Sequence, residues 1–131
     1  MRLLLDTHIL IALARRELSQ LDARMAATVT SQENVLFASA ASLWEIAIKT
    51  RLGKIDPGLA LDDLPDYLEE IGLNLLVINH RHAVKSLDPE PATRDPFDRL
   101  LLAQCAVEGL RLVTLDRVLS SHPLAWSGVR R

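Results

Sequence analysis

An α/β layer fold, with a mainly parallel central sheet flanked by helices on both faces, is what this sequence predicts, and three features predict it. Short apolar runs of strand length alternate with longer segments at helical spacing along the whole chain. Polar turn and capping residues separate almost every pair of segments. Two of the apolar runs end directly on an aspartate, Leu5-Asp6 and Leu115-Asp116. Strands joined through helices pair in parallel, because each crossover returns the chain to the same edge of the sheet. Ligands of such sheets gather beyond the carboxyl ends of the strands, which is where both aspartates fall if their strands are parallel.

The elements follow in order. Arg2 to Leu5 is a strand that stops at the polar turn Asp6-Thr7, after which Ile9, Leu10 and Leu13 recur at helical spacing. Ser19 with Asp22 resembles a capping box for a helix through about Thr30, and Gln32-Glu33-Asn34 turns into a second strand, Val35 to Ala38. Ser39 caps a helix to about Leu52, with Gly53 at its left-handed end. Asp56-Pro57-Gly58 is a turn, and a short helix from about Asp63 closes at Gly72. Leu73 to Ile78 is the third strand, followed by a brief helical piece after His80. Pro89 and Pro91 mark an irregular loop from Leu87 to Arg94. Asp95-Pro96 opens the next helix, Gly109 ends it, and Arg111 to Leu115 is the fourth strand.

Length and composition bound the rest. At 131 residues, 49% hydrophobic and 24% charged, the chain is expected to form one domain over residues 1–131. A net charge of -2 lacks the basic excess of many nucleic-acid binders, although local arginines can still hold phosphates. Cys105 is the only cysteine, so no internal disulfide is possible and the reducing cytoplasm is the expected compartment. Met1 to Ala14 imitates a secretory signal, but Asp6 and His8 fall inside what would be its apolar centre. Nowhere does the chain offer the ~18 uninterrupted apolar residues of a membrane span.

Each acidic candidate has a structural and a chemical reading. Asp6 is either the N-cap of the first helix or a strand-end ligand. Glu45 lies on a stripe with Ala41, Ile48 and Leu52, where a carboxylate needs a cation or a donor; the simpler reading is an ion pair with Lys49 four residues on. Asp98 tops the core-facing stripe Leu101, Leu102, Cys105, and there it either serves the helix dipole or binds a cation. Asp95 is the expected cap of that helix and can pair with Arg99, while Asp116 is a cap for Arg117 to Ser121 or a ligand. Crowded carboxylates repel and raise each other's pKa, and a divalent cation removes the conflict. A donor set of oxygens without a Cys or His group points to Mg2+, or Mn2+ in its place, rather than zinc.

Three segments carry a resemblance: Leu3-Leu4-Leu5-Asp6-Thr7-His8; Ser39-Ala40-Ala41-Ser42-Leu43-Trp44-Glu45-Ile46 with Leu52-Gly53-Lys54; and Asp95-Pro96-Phe97-Asp98-Arg99-Leu100-Leu101, continued by Ala103-Gln104 and then Thr114-Leu115-Asp116. Together they resemble a PIN-domain ribonuclease, specifically a VapC-type toxin of a bacterial toxin-antitoxin pair. The resemblance implies a PIN-like three-layer fold and assigns Asp6, Glu45, Asp98 and Asp116 to a catalytic magnesium site, with Thr114 as a supporting hydroxyl. Asp95 belongs to the motif of this subgroup rather than to the general acidic set. The resemblance further implies an RNA substrate cut to 5'-phosphate and 3'-hydroxyl ends, a cognate antitoxin protein and a homodimer. One departure stands out: where similar sequences often carry a His before Asp-Pro-Phe-Asp, this chain has Thr93-Arg94.

Lys49, Arg51, Lys54, Arg99 and Arg117 are candidate phosphate contacts, against the plainer reading of solvated surface charges. His80 and His82 read as surface residues after a strand, and Trp44, Phe97 and Trp126 as core or interface packing rather than base-stacking groups. Two rival functions remain in view. A non-catalytic PIN-like module binding RNA or protein would be signalled by a lost carboxylate, and all four are present. A phosphoaspartyl enzyme acting through Asp6 would be expected to show Asp-x-Asp, where this chain has His8 in the second place.

Overall fold

A computed structural model describes residues 1–126 and contains four strands, β1 (Arg2–Leu5), β2 (Val35–Ser39), β3 (Asn74–Leu76) and β4 (Arg111–Val113). All pair in parallel, in the order β3-β2-β1-β4, with Leu4 beside Phe37 on one side and Leu112 on the other. The central strand is therefore β1. Its side chains alternate between two apolar layers, as the two-residue period of a strand requires. Leu3 and Leu5 join Ile9, Leu10, Met25 and Leu68, whereas Leu4 joins Leu101, Leu102, Cys105 and Leu112. Covered on both faces, Leu3, Leu4 and Leu5 are wholly buried, and this explains the unbroken apolar run. The expected α/β layering of helices around a parallel sheet is what the chain forms.

Helices α1 (Thr7–Ala14), α2 (Ala23–Thr30) and α4 (Leu64–Glu70) contribute to the first layer, and α6 (Pro96–Glu108) with the short α7 (Arg117–Ser120) to the second. Between them, α3 (Ala40–Arg51) gives Ile46 to the first layer and Ala41 to the second; α5 (His80–Val84) is a single turn or so after β3. The strand order places a topological switch between β1 and β4. From β1 the chain moves outward through β2 to β3, then crosses back to β4 on the far side of β1. Parallel sheets open a crevice at such a point, just beyond the strand ends.

Most local signals act as their chemistry suggests. Ser39 caps α3 by accepting from Ala41 N at 3.0 Å, and Gly53 and Gly109 take left-handed backbone at the ends of α3 and α6. Three expectations need correction. The proposed Ser19–Asp22 box does not form, because Asp22 itself caps α2 through Met25 N (2.8 Å) and Ser19 lies in a separate 3-10 turn, Leu18–Gln20. Leu21, buried just before that cap, fixes the entry of the helix and leaves Ser19 outside it. Strand β4 stops at Val113 rather than Leu115, since Thr114 turns inward to a side-chain partner. Strand β3 keeps only Asn74–Leu76 of the expected Leu73 to Ile78, because β2, its one partner, ends at Ser39 opposite Leu76.

A buried polar clamp ties α3 to α6. Ser39 Oγ donates to Gln104 Oε1 at 2.5 Å, and Gln104 Nε2 donates to Val77 O at 3.2 Å. Both residues are fully buried, so neither has water as an alternative partner. Gln104→Leu, which preserves bulk but removes both bonds, is expected to destabilise the fold by about 1 to 3 kcal/mol, measured by urea unfolding.

Candidate active site

Asp6 sits at the switch point, delivered there by the end of β1 and held from three directions. Its backbone N–H donates to Val113 O (2.9 Å), joining β1 to the end of β4. Its carboxylate accepts Thr7 N on Oδ1 (2.7 Å) as the N-cap of α1, and Thr114 Oγ1 on Oδ2 (2.5 Å). The carboxylate thus caps α1 and takes a second donor from the end of β4. Thr114 Oγ1 also accepts from Asp116 N at 3.0 Å.

Glu45 comes from α3 and is 6% exposed. Thr7 Oγ1 donates to its Oε1 at 2.7 Å, and Lys49 Nζ donates to its Oε2 at the same distance. Ser42 Oγ lies 3.0 Å from Thr7 Oγ1, so a hydroxyl chain runs from Ser42 through Thr7 to the carboxylate. The simpler sequence reading, an ion pair with Lys49, is present, but this pair is not the ordinary surface kind, because Glu45 is buried. Bonding to Glu45 raises the Lys49 pKa, and the charges of Asp95 and Asp98 add to that effect. Lys49 is accordingly the cation already resident among the acids.

Asp98 projects from the first turn of α6, half-buried. Burial comes first among the causes that push its pKa up to about 7, followed by the charges of Asp95, Asp6 and Glu45, against a bond from Thr93. Asp6 is also raised, mainly by burial, although its bonds from Thr114 and Thr7 oppose the shift. Asp95 caps α6 through Phe97 N (2.8 Å) and Asp98 N (3.4 Å), as expected. The Thr93-Arg94 departure finds a role here: Thr93 Oγ1 donates to Asp98 Oδ2 at 3.3 Å and accepts from Asp95 N at 3.2 Å.

Asp116 is placed differently. It is exposed and caps α7 through Val118 N (2.7 Å) and Leu119 N (3.2 Å), and its charge is absent from the influences on Asp6 and Asp98. Among the described residues no group of three acids, histidines or cysteines stands in metal-holding geometry. Asp6, Glu45 and Asp98 form the electrostatic unit, with Asp116 at its edge through Thr114. Arg99 turns from the expected Asp95 to bond Glu90 and Thr93 O, and Arg117 is exposed beside the Asp116 cap.

Several residues depart from their sequence readings. His82 is buried instead of exposed; its Nδ1 accepts from Asn79 N (3.1 Å) and its Nε2 meets Glu108 Oε2 at 2.7 Å, an arrangement that ends of α5 and α6 create together. Phe97 and Trp126 pack against the two apolar layers, but Trp44 is 61% exposed and outside both. Thr7, Ser42 and Thr93 were missed as parts of the site; hydroxyls one to five residues from an acid were the available signal. A cavity of about 670 Å³ is lined by residues such as Leu13, Val29, Leu36 and Tyr67, and by none of the acids.

The profile of the PIN domain matches residues 3–123, nearly the whole described chain. The chain belongs to the PIN-domain family. Over 57 residues this PIN domain is 40% identical to Ribonuclease VapC16 of Mycobacterium tuberculosis (strain ATCC 25618 / H37Rv), a match covering 43% of this chain and 40% of that protein. The match therefore spans less than half of either partner. A crystal structure of VapBC2 from Rickettsia felis, bound to a DNA fragment from their promoter, is similar with a TM-score of 0.61, 15% identity, and coverage of 95% of this chain and 96% of that one. At that identity it shows the fold of the PIN domain alone. No helix among the described residues is long and apolar enough to cross a membrane.

The raised pKa of Asp98 sets a pH dependence whose sign is fixed. Unfolded, the group ionises near 4, whereas folded and metal-free it keeps its proton to about pH 7. Between those limits the folded state binds more protons, so this group's contribution to stability is lost as pH rises. Asp98→Asn should remove that slope in thermal melts between about pH 4 and 7, and leave the metal-free protein at pH 7.5 as stable as the parent or more so.

Proposed function

We propose that this PIN domain is a Mg2+-dependent endoribonuclease and the toxin of a toxin-antitoxin pair. The observation that carries the reading is the Asp6–Glu45–Asp98 unit at the switch point, in which Asp6 and Asp98 hold protons more tightly than free carboxyls, first because they are buried and then because the Glu45 charge faces both. Its donor set is all oxygen, and the crowded charge suits a hard divalent cation. Asp6 and Asp98 would hold the ion, with Glu45 and Asp116 completing its acidic surroundings; when bound, it supplies charge stabilisation at phosphoryl oxygens and activation of water.

The chain's own groups prepare that chemistry. Thr114 and the Thr7 amide orient the Asp6 carboxylate, and the Thr7 hydroxyl orients Glu45. Lys49 balances Glu45 while the acids are otherwise uncompensated. Asp98 would hold the ion as a carboxylate, so cation binding would release a proton below about pH 7. Lys49, Arg99 and Arg117 are the phosphate-contacting candidates nearest these acids in the fold or along the chain. The similarity to a VapC ribonuclease supports an RNA substrate, and the likeness to the VapBC2 complex an antitoxin partner; the family likeness supports a homodimer, and the single cysteine suits a reducing cytoplasm.

A second reading, a non-catalytic module that binds RNA or protein, draws on Asp116 serving as an exposed cap of α7 and on the lack of a three-acid cluster among the described residues. Cleavage assays separate the two. RNA should be cut with Mg2+ or Mn2+ and left intact in excess EDTA, with 5'-phosphate ends found on sequencing the products. Asp98→Asn should lower the rate by about a hundredfold or more. Undiminished cleavage in EDTA would sink the metal site, and binding of RNA without cleavage under any divalent ion would establish the second reading.

A further inference from the structure

Trp44 and Phe97 form an aromatic pair on the two helices that carry the acids. Their ring centroids are 5.7 Å apart with planes at 77°, an edge-to-face contact. Trp44 immediately precedes Glu45 on α3, and Phe97 immediately precedes Asp98 on α6, so the pair is anchored at the rim of the acidic unit. Phe97 is seated against the second apolar layer, yet Trp44 keeps 61% of its surface exposed. A scattered exposed apolar residue needs no explanation. This one meets a second ring edge-to-face, next in the chain to an acid of the proposed site.

Resting on the ribonuclease reading, we propose that the Trp44–Phe97 pair is a base-stacking platform for single-stranded RNA, holding a nucleobase beside the bond to be cut. Unpaired bases stack on exposed aromatic rings with little regard to sequence, provided cations nearby follow the backbone. Those cations are present. Arg51 lies seven residues after Trp44 on the same face of α3, about 10 Å along the helix, and is exposed with no ion pair among the described residues. Lys54 follows just beyond the helix end, also exposed. A polyanion complements this face. A second copy of the chain, docked symmetrically, would bring the same cations against one another.

The chain has two tryptophans, so Trp126→Phe leaves Trp44 as the sole indole reporter. With cleavage blocked by EDTA, a single-stranded oligoribonucleotide should quench Trp44 emission, whereas an abasic ribose-phosphate strand of equal length should not. In the otherwise native chain, Trp44→Ala should weaken binding of labelled single-stranded RNA about five- to hundredfold, leave binding of the abasic strand unchanged, and be largely rescued in Trp44→Phe. Native-like circular dichroism of both variants is expected, as Trp44 is outside the core. Equal affinity of the parent for both strands, or full-strength RNA binding by Trp44→Ala, would overturn the platform. So would a dimer that Trp44→Ala converts to monomer in sedimentation, since the pair would then be a contact between copies. Quenching and base-dependent binding without Mg2+-dependent cleavage would keep the platform and remove the ribonuclease; cleavage and binding unaffected by Trp44→Ala would do the reverse.

Discussion

The bond from Thr114 to Asp6 is the constraint on which the candidate site depends. It crosses from the end of β4 to the end of β1, 108 positions apart in the chain, and fixes a carboxylate that the sheet has already taken out of water. A buried carboxylate without donors would be a severe cost. Here the Thr7 amide, which α1 leaves unpaired at its first turn, and the Thr114 hydroxyl supply two. The same pair of bonds therefore closes a helix end, joins adjacent strands and orients an acid at the switch point. Stability and the proposed chemistry draw on one set of atoms.

Around that acid the balance of charge is deliberately incomplete. Glu45 has the Lys49 ammonium and a hydroxyl on its two oxygens, whereas Asp98 has a single long bond from Thr93 and several negative neighbours. Burial first, and that repulsion after it, keep a proton on Asp98 up to about pH 7. In the proposed function a divalent ion would take the place of that proton. Asp116 contributes differently: it shares Thr114 with Asp6 through its backbone while its carboxylate serves α7.

The other half of the scaffold keeps α3 and α6 in register. Ser39 and Gln104 meet near the strand ends, six residues before Glu45 and six after Asp98 respectively, so the clamp joins the two helices that bring those acids together. Gln104 Nε2 also approaches His82 Nδ1 at 3.4 Å, extending the polar contacts toward α5. These groups are buried and bonded to partners distant in sequence, which makes them specifications of geometry rather than of local structure.

By itself the sequence determined the local elements and the candidates: four apolar runs of strand length, the caps Asp6, Ser39, Asp95 and Asp116, the left-handed glycines Gly53 and Gly109, and the four acids. Those signals are legible because each is decided within a few residues by backbone donors, side-chain reach and periodicity. The tertiary structure alone decided that β1 lies centrally with β4 beside it, that His82 is buried against Glu108, that Thr93 serves Asp98, and that Trp44 is left open. Each of those depends on which distant segment packs alongside, and periodicity reports only that a face is apolar, not what will cover it. The Glu45–Lys49 pair shows the division within one helix: its spacing was plain from the sequence, but its buried setting among other acids came from α1 and α6 folding against it.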